Sequence, residues 1–397
     1  MGDLPFAKVS DIRFPGNESG ITTAANYVSH SQARMLRARL IPAGSVVFPK
    51  VGAALLGNAR SLTRRDCLID NNMMAVVPHN GDPRFWLYLL SVVDLGELSP
   101  GGPLPYVSEA QVRDLRVSLP SNDEQRRVAD FLQAETSKLD ELTHRMDRLR
   151  ELLIHRRQVA IHNYVSGLCQ GVEVAQSDLC WAPRIPLHWQ AVRLSHLAVM
   201  GSGHTPSRSH PEWWENCTIP WITTGEVSQV RDDRREVITE TREKISAIGL
   251  ANSAAELHRA GTVVLCRTAS AGYSAVMGVD MATSQDFATW TCGPKLDPYY
   301  LLWCLRAMRP DLLGRLAMGS THKTIYVPDL QMLKVPLPSL REQQQIVQRI
   351  RENNALVDAA IDAIDRQLAL LAERRHALVA EAVAGQIDVA PTLGLSP

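Results

Sequence analysis

The sequence predicts an α+β protein in which two mixed α/β domains alternate with two long helices, as a pseudo-two-fold internal repeat. Residues 115–167 recur as residues 333–385 without a gap, at a constant offset of 218. Each copy carries apolar residues at alternating steps of three and four, which is the pattern of a helix packed along one seam. The segments before the copies show short strand-like runs and turns instead. The predicted order is therefore domain, helix, domain, helix.

Residues 1–114 form the predicted first domain. A short strand is expected at residues 46–48, and residues 85–93 have a helical pattern. Basic residues cluster at residues 60–65, where either a solvated surface or a phosphate-binding patch would explain them.

Residues 115–168 contain the first long helix. A short apolar run ends at Pro120, and Ser121 to Glu124 then form an S-x-x-E capping box. Over forty residues at about 1.5 Å each make a rod of roughly 65 Å, which is stable only if its apolar stripe is buried. The predicted partner of the stripe is the second copy. Its seam in the first copy consists of Val128, Leu132, Leu139, Leu142, Met146, Leu149 and Leu153.

Residues 333–385 contain the second long helix, which begins with the same capping motif at Ser339 to Glu342. A polar residue interrupts the two seams at equivalent positions, Glu135 and Asn353. Such a residue either fixes the register of a helix pair or marks a solvated gap. The seam of this copy consists of Ile346, Ile350, Val357, Ile364 and Leu371.

Residues 169–186 are predicted to be a linker, and residues 187–332 the second domain. Residues 260–265 match residues 43–48 at an offset of 217, so the second domain is expected to resemble the first.

The first domain is predicted to be the shorter one. Residues 187–218 open the second domain and have no counterpart in the first, which is therefore expected to lack its leading strand or strands. Either the true start lies upstream, or the chain is natural and its first domain functions poorly or with help from the tail, residues 386–397.

Composition limits the class of protein. The chain has 397 residues, of which 45% are hydrophobic and 21% charged, and no run is long and apolar enough to span a membrane, so a soluble, cytoplasmic protein of several domains is expected. Seven scattered cysteines without a C-x-x-C pair favour reduced thiols, mostly packed in the interior, over a disulfide framework or a zinc cluster. A formal net charge of zero excludes a generally basic nucleic-acid coat.

Motifs for catalysis are missing from the sequence. It contains no complete phosphate loop, no H-E-x-x-H, no G-x-S-x-G and no dinucleotide-binding G-x-G-x-x-G. Asp297-Pro-Tyr-Tyr300 partly matches the D-P-P-Y of adenine methyltransferases but lacks the second Pro, and a helix N-cap explains it better. No catalytic residue and no metal site are predicted.

A distinctive series of motifs occurs twice. In each copy a proline-ended strand, at Pro120 or Pro338, precedes Glu-Gln, and the helix closes with Arg-Arg and then Val-x-Gly. The second domain adds I-P-L-H-W at residues 185–189 and I-P-W-I-T-T at residues 219–224. In this order, over nearly the whole chain, the motifs resemble those of the specificity subunits of type I restriction-modification enzymes.

The resemblance implies a non-catalytic subunit that reads double-stranded DNA. In that family two target-recognition domains read the two parts of an asymmetric site, and two long antiparallel helices set the distance between them. Two modification subunits carry the methyltransferase chemistry and bind S-adenosylmethionine, and restriction (motor/nuclease) subunits join for cleavage. No cofactor is therefore expected in this chain. Two similar heads suit two half-sites separated by about 34 Å or a multiple of it.

Candidate DNA contacts are polar or basic residues in predicted loops, because short side chains let the backbone approach phosphate and Arg, Lys or His can read base edges. For each residue, surface solvation is the alternative. The candidates are Thr205, Ser207, Arg208, Thr223, Thr224, Arg267, Thr321, His322 and Lys323 in the second domain, and Lys50, Arg60, Arg64 and Arg65 in the first.

Two other classes of protein are also compatible with the sequence. A coiled-coil assembly or scaffold protein would have the same paired helices without DNA recognition. A self-sufficient methyltransferase or nuclease would need a cofactor or metal motif that the sequence lacks. Trp213, Trp214 and Trp221 are expected to pack in the core and not to stack on a flipped base.

Overall fold

Two compact units make up the chain, and each contains part of both long helices. The computed structural model describes residues 2–169, 171–317 and 323–389. The first unit comprises Met1–Asp147 and Asp365–Pro397, and the second comprises Arg148–Ile364.

The first unit contains two three-stranded sheets built from short strands. The strands are β1 (Leu4–Ala7), β2 (Asn26–Val28), β3 (Val46–Pro49), β4 (Ser61–Leu62), β5 (Leu68–Ile69) and β6 (Met73–Val76). The sheet orders are β2-β1-β5 and β4-β3-β6. All four residues of β3 are buried, and Val46 to Pro49 pair antiparallel with Val76 to Met73 of β6.

Four short helices precede the first long one: α1 (His30–Met35), α2 (Ala53–Leu56), α3 (Pro83–Ser91) and α4 (Glu109–Arg113), followed by α5 (Asn122–Val165). Helix α3 begins two residues before the predicted start at residue 85. The reason is local: the Asp82 side chain accepts the Arg84 N–H at 2.8 Å, and Pro83 suits the first helical position.

The second unit contains the larger sheet. Its strands are β7 (Val174–Gln176), β8 (Arg184–Pro186), β9 (Gln190–Arg193), β10 (Ala198–Ser202), β11 (Ile219–Ile222), β12 (Val237–Ile238), β13 (Lys244–Ile245), β14 (Val263–Cys266), β15 (Ser274–Met277), β16 (Ala282–Thr283), β17 (Phe287–Cys292) and β18 (Lys334–Leu337). The five-stranded sheet has the order β10-β17-β14-β15-β12, and β9 pairs with β18. In the first unit β6, the equivalent of β17, pairs with β3 alone among the described residues.

The helices that begin in the second unit are α6 (Ala247–Ala251), α7 (Pro298–Asp311), α8 (Val327–Gln331) and α9 (Leu340–Val383). Helix α9 continues into the first unit, and the end of α5 lies in the second. The Asp297 carboxylate accepts the N–H groups of Tyr299 at 2.8 Å and Tyr300 at 3.0 Å. The D-P-Y-Y motif is therefore the N-cap of α7, as predicted.

Both long helices have 44 residues, as the gapless duplication predicts. The capping box is complete in α9, where Ser339 and Glu342 bond to each other's backbone N–H at 3.4 and 2.9 Å. In α5 the Ser121 side chain accepts the Glu124 N–H at 3.3 Å, and among the described residues the return bond is not formed. After the helices Gly167 and Gly385 adopt φ values of +74° and +71°, the left-handed conformation of a helix C-terminus.

Within each unit the two helices run antiparallel. In the first unit Asp140 of α5 pairs with Arg375 of α9 at 3.2 Å, and Val128 of α5 shares a core cluster with Val383 of α9. Moving along α5 from Val128 to Asp140, the facing residues on α9 therefore run backwards, from Val383 to Arg375. In the second unit, the same relation places Arg157 beside Asp358 at 2.6 Å, and Ile161 and Val165 in one core with Ile346 and Ile350.

The seam between the helices differs in part from the prediction. The predicted residues Val128, Leu132, Leu139, Ile346, Ile350, Val357 and Ile364 are buried, and Met146, Leu153 and Leu371 are half-buried. Leu142 and Leu149 are 43% and 46% exposed and lie outside the seam. After Leu132 the next buried positions are Thr136, four residues on, and Leu139, three residues further. The predicted path ran from Leu132 through Glu135 to Leu139, by three residues and then four.

The polar positions in the seam are consequently Thr136 and Asn354, not Glu135 and Asn353. Thr136 is 3% exposed and Asn354 8% exposed, and they are again 218 residues apart. Thr136 tolerates burial because its hydroxyl donates to the Leu132 carbonyl at 2.7 Å. Glu135 instead keeps its charge near solvent, in an ion pair with Lys138 at 2.6 Å.

One apolar attachment joins a domain to the long helices in each unit. In the first, Phe85 and Leu89 of α3 pack in a cluster with Val128 and Leu132. In the second, the equivalent residues of α7, Tyr300 and Cys304, lie in the core that contains Ile346 and Ile350. The α+β class and the alternation of mixed domains with long helices are thus confirmed. Among the described helices, none has the length and apolarity needed to cross a membrane.

Candidate nucleic-acid interface

A loop of the second domain, residues 283–286, joins the ends of three strands. Its backbone accepts the N–H of His204, after β10, at 3.0 Å and the N–H of Arg267, after β14, at 2.7 Å. It also donates to the carbonyl of Ile222, the last residue of β11, at 2.9 Å. Three of the segments that carry predicted DNA contacts therefore meet at one surface.

Thr205 is held on this surface by a close backbone approach. A Cβ at Gly203 would lie 2.1 Å from the Thr283 carbonyl oxygen, so only glycine allows the chain to pass here. Two residues later, the Thr205 hydroxyl donates to the Oε1 of exposed Gln285 at 2.6 Å. Gln285 thus joins Thr205 in a surface that can offer amide and hydroxyl groups to a ligand.

Thr223 and Thr224 lie half-buried at the start of a short 3-10 helix after β11. Buried Glu226 stabilises this turn. Its carboxylate accepts a hydrogen bond from the Arg242 N–H at 2.9 Å and one from the Gln229 side-chain amide at 2.5 Å. The two threonines therefore stand on a well-supported turn next to the Ile222 end of the loop contact.

Arg267 and Lys50 occupy equivalent places in the two domains. Each follows the central strand of its sheet, β14 or β3, at an offset of 217. The N–H of Arg267 donates to the Asp286 carbonyl at 2.7 Å, and the N–H of Lys50 donates to the Asn72 carbonyl at 2.8 Å, in the equivalent loop. Both domains thus present a basic residue at the same strand end.

The neighbours of Arg267 are polar. Its Nε is buried without a hydrogen-bond partner among the described residues, and the adjacent Thr268 donates to the Asp286 carboxylate. The Ile325 N–H donates to the Arg267 carbonyl at 2.8 Å, which brings the segment of Lys323 close to this surface. Lys323 is exposed and donates to the Leu313 carbonyl at 3.3 Å. Thr321 and His322 lie outside the described residues.

Ser207 and Arg208 belong to an exposed patch with aromatic character. The Arg208 guanidinium lies 3.7 Å from the centre of the Trp214 ring and pairs with Glu243 at 3.0 Å. Trp214 and Trp213 are half-buried, whereas Trp221 is buried in a small core cluster. Core packing is therefore confirmed for Trp221, and the other two tryptophans are partly accessible.

The basic residues predicted for the first domain do not gather at one place. Arg60 is half-buried: its guanidinium lies 5.1 Å from the Phe48 ring centre and donates to the Val93 carbonyl at 3.3 Å. Burial lowers the pKa of Arg60 to about 10. Arg64 and Arg65 are exposed, and Arg65 donates to the Asp3 carbonyl at 3.0 Å. Arg60 thus serves packing, while the other two face solvent.

Sequence reasoning missed Gln285, Thr268 and Asp286, which organise the surface of the second domain. The available signal was the polar run T-S-Q-D at residues 283–286 between two short apolar runs. Its position beside Thr205 depends on the pairing of β10 with β17, which joins residues far apart in the sequence.

The remaining groups with potential site chemistry are metal-ligating side chains and cysteine thiols. Across the described ranges, no cluster of three or more His, Cys, Asp or Glu side chains is arranged to hold a metal ion. Burial raises the pKa of the Cys67 thiol to about 11 and those of Cys266 and Cys292 to about 12. These thiols are therefore protonated and poor nucleophiles. Cys169 and Cys180 are exposed, which qualifies the prediction that the cysteines are mostly packed.

The similar proteins all belong to one family, the specificity subunits of type I restriction enzymes. Residues 186–360 match the type I restriction modification DNA specificity domain. The type I restriction enzyme EcoDI specificity subunit of Escherichia coli is 20% identical over 323 residues, which cover 76% of this chain and 69% of that protein. The MjaIX specificity subunit of Methanocaldococcus jannaschii is 24% identical over 164 residues, covering 41% of this chain and 37% of that protein.

Solved structures share the fold. A chain from a study of the complex assembly and conformational transition of the type I R-M system aligns with a TM-score of 0.70 and 20% identity, covering 97% of this chain and 92% of that one. The HsdS subunit from Thermoanaerobacter tengcongensis aligns with a TM-score of 0.53 and 19% identity, covering 97% and 91%. These matches agree with the resemblance seen in the motifs.

Proposed function

We propose, from the membership of this chain in the family of type I restriction-modification specificity subunits, that it reads a bipartite, asymmetric DNA site. Each domain would contact one half-site, and the paired long helices would set the distance between the two. The observation that carries this proposal is the equivalence of Arg267 and Lys50, one basic residue at the same strand end in each domain. Two equivalent basic positions suit two half-sites of one duplex.

The proposed partners supply the chemistry. Two modification subunits would dock on the chain and bring the methyltransferase activity and S-adenosylmethionine, and restriction subunits would join them for DNA cleavage. The chain itself would act as a non-catalytic reader and scaffold.

Sequence selection tests the proposal. The full chain, co-purified with its modification subunits, is incubated with random double-stranded DNA, and retained molecules are sequenced after several rounds. Two conserved blocks separated by a spacer of fixed length are expected, with affinity that falls as salt rises. A coiled-coil scaffold would retain no bipartite sequence and would show no salt-dependent binding, and that result would refute the proposal.

A further inference from the structure

We propose that residues 232–236, here called the anchor loop, hold the second domain at a fixed angle on the long helices and so make the chain selective for one half-site spacing. This inference rests on the proposed function. All residues involved belong to the second unit.

The anchor loop contacts both long helices. The Asp232 carbonyl accepts a hydrogen bond from Arg157 of α5 at 2.6 Å, and the same guanidinium pairs with Asp358 of α9 at 2.6 Å. Two residues along the loop, Arg234 pairs with Asp362 of α9 at 2.7 Å. One guanidinium therefore ties the loop to α5 and α9 together, and a second contact on α9 follows one turn later.

A third contact lies at the end of the loop. The Glu236 carboxylate accepts hydrogen bonds from the Nε of Arg351 at 3.1 Å and from its Nη2 at 2.6 Å. This two-bond geometry fixes the orientation of the two side chains as well as their distance. The same carboxylate accepts the indole N–H of Trp303 on α7 at 3.2 Å. Glu236 therefore links α9 to the domain helix α7.

The loop itself is held stiffly from the domain side. Asp233 adopts a φ of +60°, a conformation that residues other than glycine rarely adopt. Its carboxylate accepts hydrogen bonds from both terminal nitrogens of Arg309, at 2.8 and 2.6 Å. Its backbone carbonyl accepts a hydrogen bond from the buried guanidinium of Arg306 at 2.7 Å. Arg306 also donates to the Arg235 carbonyl at 2.6 Å. A loop fixed at so many points can transmit orientation from the helices to the domain.

The first unit is built differently. Both domains have the apolar attachment of α3 or α7 to the long helices, and in the first unit the ion pair of Arg84 with Asp130, at 2.8 Å, extends that same attachment. In the first domain, residues 15–19 correspond to the anchor loop, because the Arg64 N–H donates to the Ile21 carbonyl just as the Gly278 N–H donates to the carbonyl of Ile238, two residues after the loop. Among the described residues, residues 15–19 form no ion pair with either long helix. A single attachment leaves a domain free to tilt, whereas a second, separate one prevents it.

The test uses Arg234→Gln/Arg351→Gln, which removes the two loop contacts to α9. Both side chains are more than a third exposed, at 34% and 43%, so folding is expected to survive. The matched control is Arg113→Gln/Arg145→Gln, which removes two arginines from exposed pairs with Glu109 and Glu141 and changes the net charge equally.

After selection has defined the wild-type half-sites, binding is measured for DNA with the spacer shortened or lengthened by one and two base pairs. The preference of the double variant for the native spacer is expected to fall by about tenfold, because a looser joint makes binding depend less on separation. Its affinity for natively spaced DNA is expected to stay within about threefold of the wild-type value, as long as each half-site is still read. The control keeps the wild-type preference.

Two results would overturn the inference. In one, the double variant keeps the spacing preference of the wild type. In the other, its affinity falls equally for every spacer together with a lower melting temperature, which would show a merely structural role. Arg351→Lys, which retains the charge without the fork, separates geometry from charge and is expected to lose part of the preference. If the wild-type complex retains no bipartite DNA, the proposed function fails first, before any variant is compared.

Discussion

Arg157 and Asp358 form an ion pair at 2.6 Å in the second unit, and the first unit contains its repeat equivalent, Arg375 with Asp140, at 3.2 Å. The offset of 218 relates Arg157 to Arg375 and Asp140 to Asp358. When two equivalent helices pair antiparallel, each contact occurs a second time, and the residue that α5 supplies in one contact is supplied by α9 in the other. The duplication in the sequence is therefore visible as a duplicated contact.

The two pairs are expected to differ in strength. The side chains of Arg157 and Asp358 are 9% and 20% exposed, whereas those of Arg375 and Asp140 are 43% and 61% exposed. Asp358→Asn leaves a buried guanidinium partly unpaired and should lower the free energy of unfolding by about 2–4 kcal/mol. Asp140→Asn should lower it by less than about 1 kcal/mol. Chemical denaturation of both variants measures the difference. Equal losses in the free energy of unfolding would show that the Arg157–Asp358 pair is no more buried than the Arg375–Asp140 pair.

The sequence predicted the long helices well because duplication and heptad spacing are both local and repeated signals. Their shared seam was less predictable. Leu142 and Leu149 are apolar, so a pattern of hydrophobic residues selects them, yet they are exposed and Thr136 is buried one position away from the predicted polar site. Adjacent positions on a helix differ by about 100° around its axis, and which of them is covered depends on the partner helix and on the domain beside it.

Asn354 provides a test of the corrected seam. It is buried, and its Oδ1 has no hydrogen-bond partner among the described residues. Asn354→Leu removes that unpaired acceptor and should raise the free energy of unfolding by about 1–2 kcal/mol. Asn353, one position away and half-buried, also has a buried side-chain nitrogen, Nδ2, without a partner among the described residues. Asn353→Leu should therefore raise the free energy of unfolding as well, but by less, because more of that side chain faces solvent. A loss of stability in Asn354→Leu would show that the amide has a partner in solution.

The surface of the second domain could be predicted only in part. Thr205, Thr223 and Arg267 lie in separate segments of the sequence, and each was selected for its residue type. Their meeting at residues 283–286 follows from strand pairings such as Gly201 with Thr289, which no local pattern specifies. The anchor loop was missed for the same reason, since an Asp-Arg-rich run in a sequence is most often a solvated turn.

Glu342 predicts a pH dependence of stability. Burial raises the pKa of this carboxyl, but hydrogen bonds from His188, Ser339 and Trp189 outweigh it and bring the pKa to about 2, against an ordinary value of 4.5. Because the folded-state pKa is the lower one, the stabilisation is complete above the unfolded pKa and is lost as pH falls from about 4.5 towards about 2.

Glu342→Gln should therefore lower the free energy of unfolding by about 1–3 kcal/mol at pH 7, with a difference from wild type that narrows towards pH 3. Glu124→Gln, at the equivalent position of α5, is the control, because Glu124 lacks the return bond of the capping box among the described residues. Denaturation at pH 7, 5 and 3 measures the effect. A difference that stays constant with pH would refute this account of the carboxylate.

The salt dependence of DNA binding tests the equivalence of Arg267 and Lys50. If each contacts one phosphate, Arg267→Gln and Lys50→Gln should each reduce the slope of log affinity against log salt by about 0.9, with weaker binding at low salt. Arg60→Gln is a demanding control, because it also removes one arginine but from a side chain held against Phe48 and the Val93 carbonyl. It should leave the slope unchanged even if stability falls. Titrations of the selected DNA at several salt concentrations give the three slopes, and an unchanged slope for both Arg267→Gln and Lys50→Gln would remove these residues from the interface.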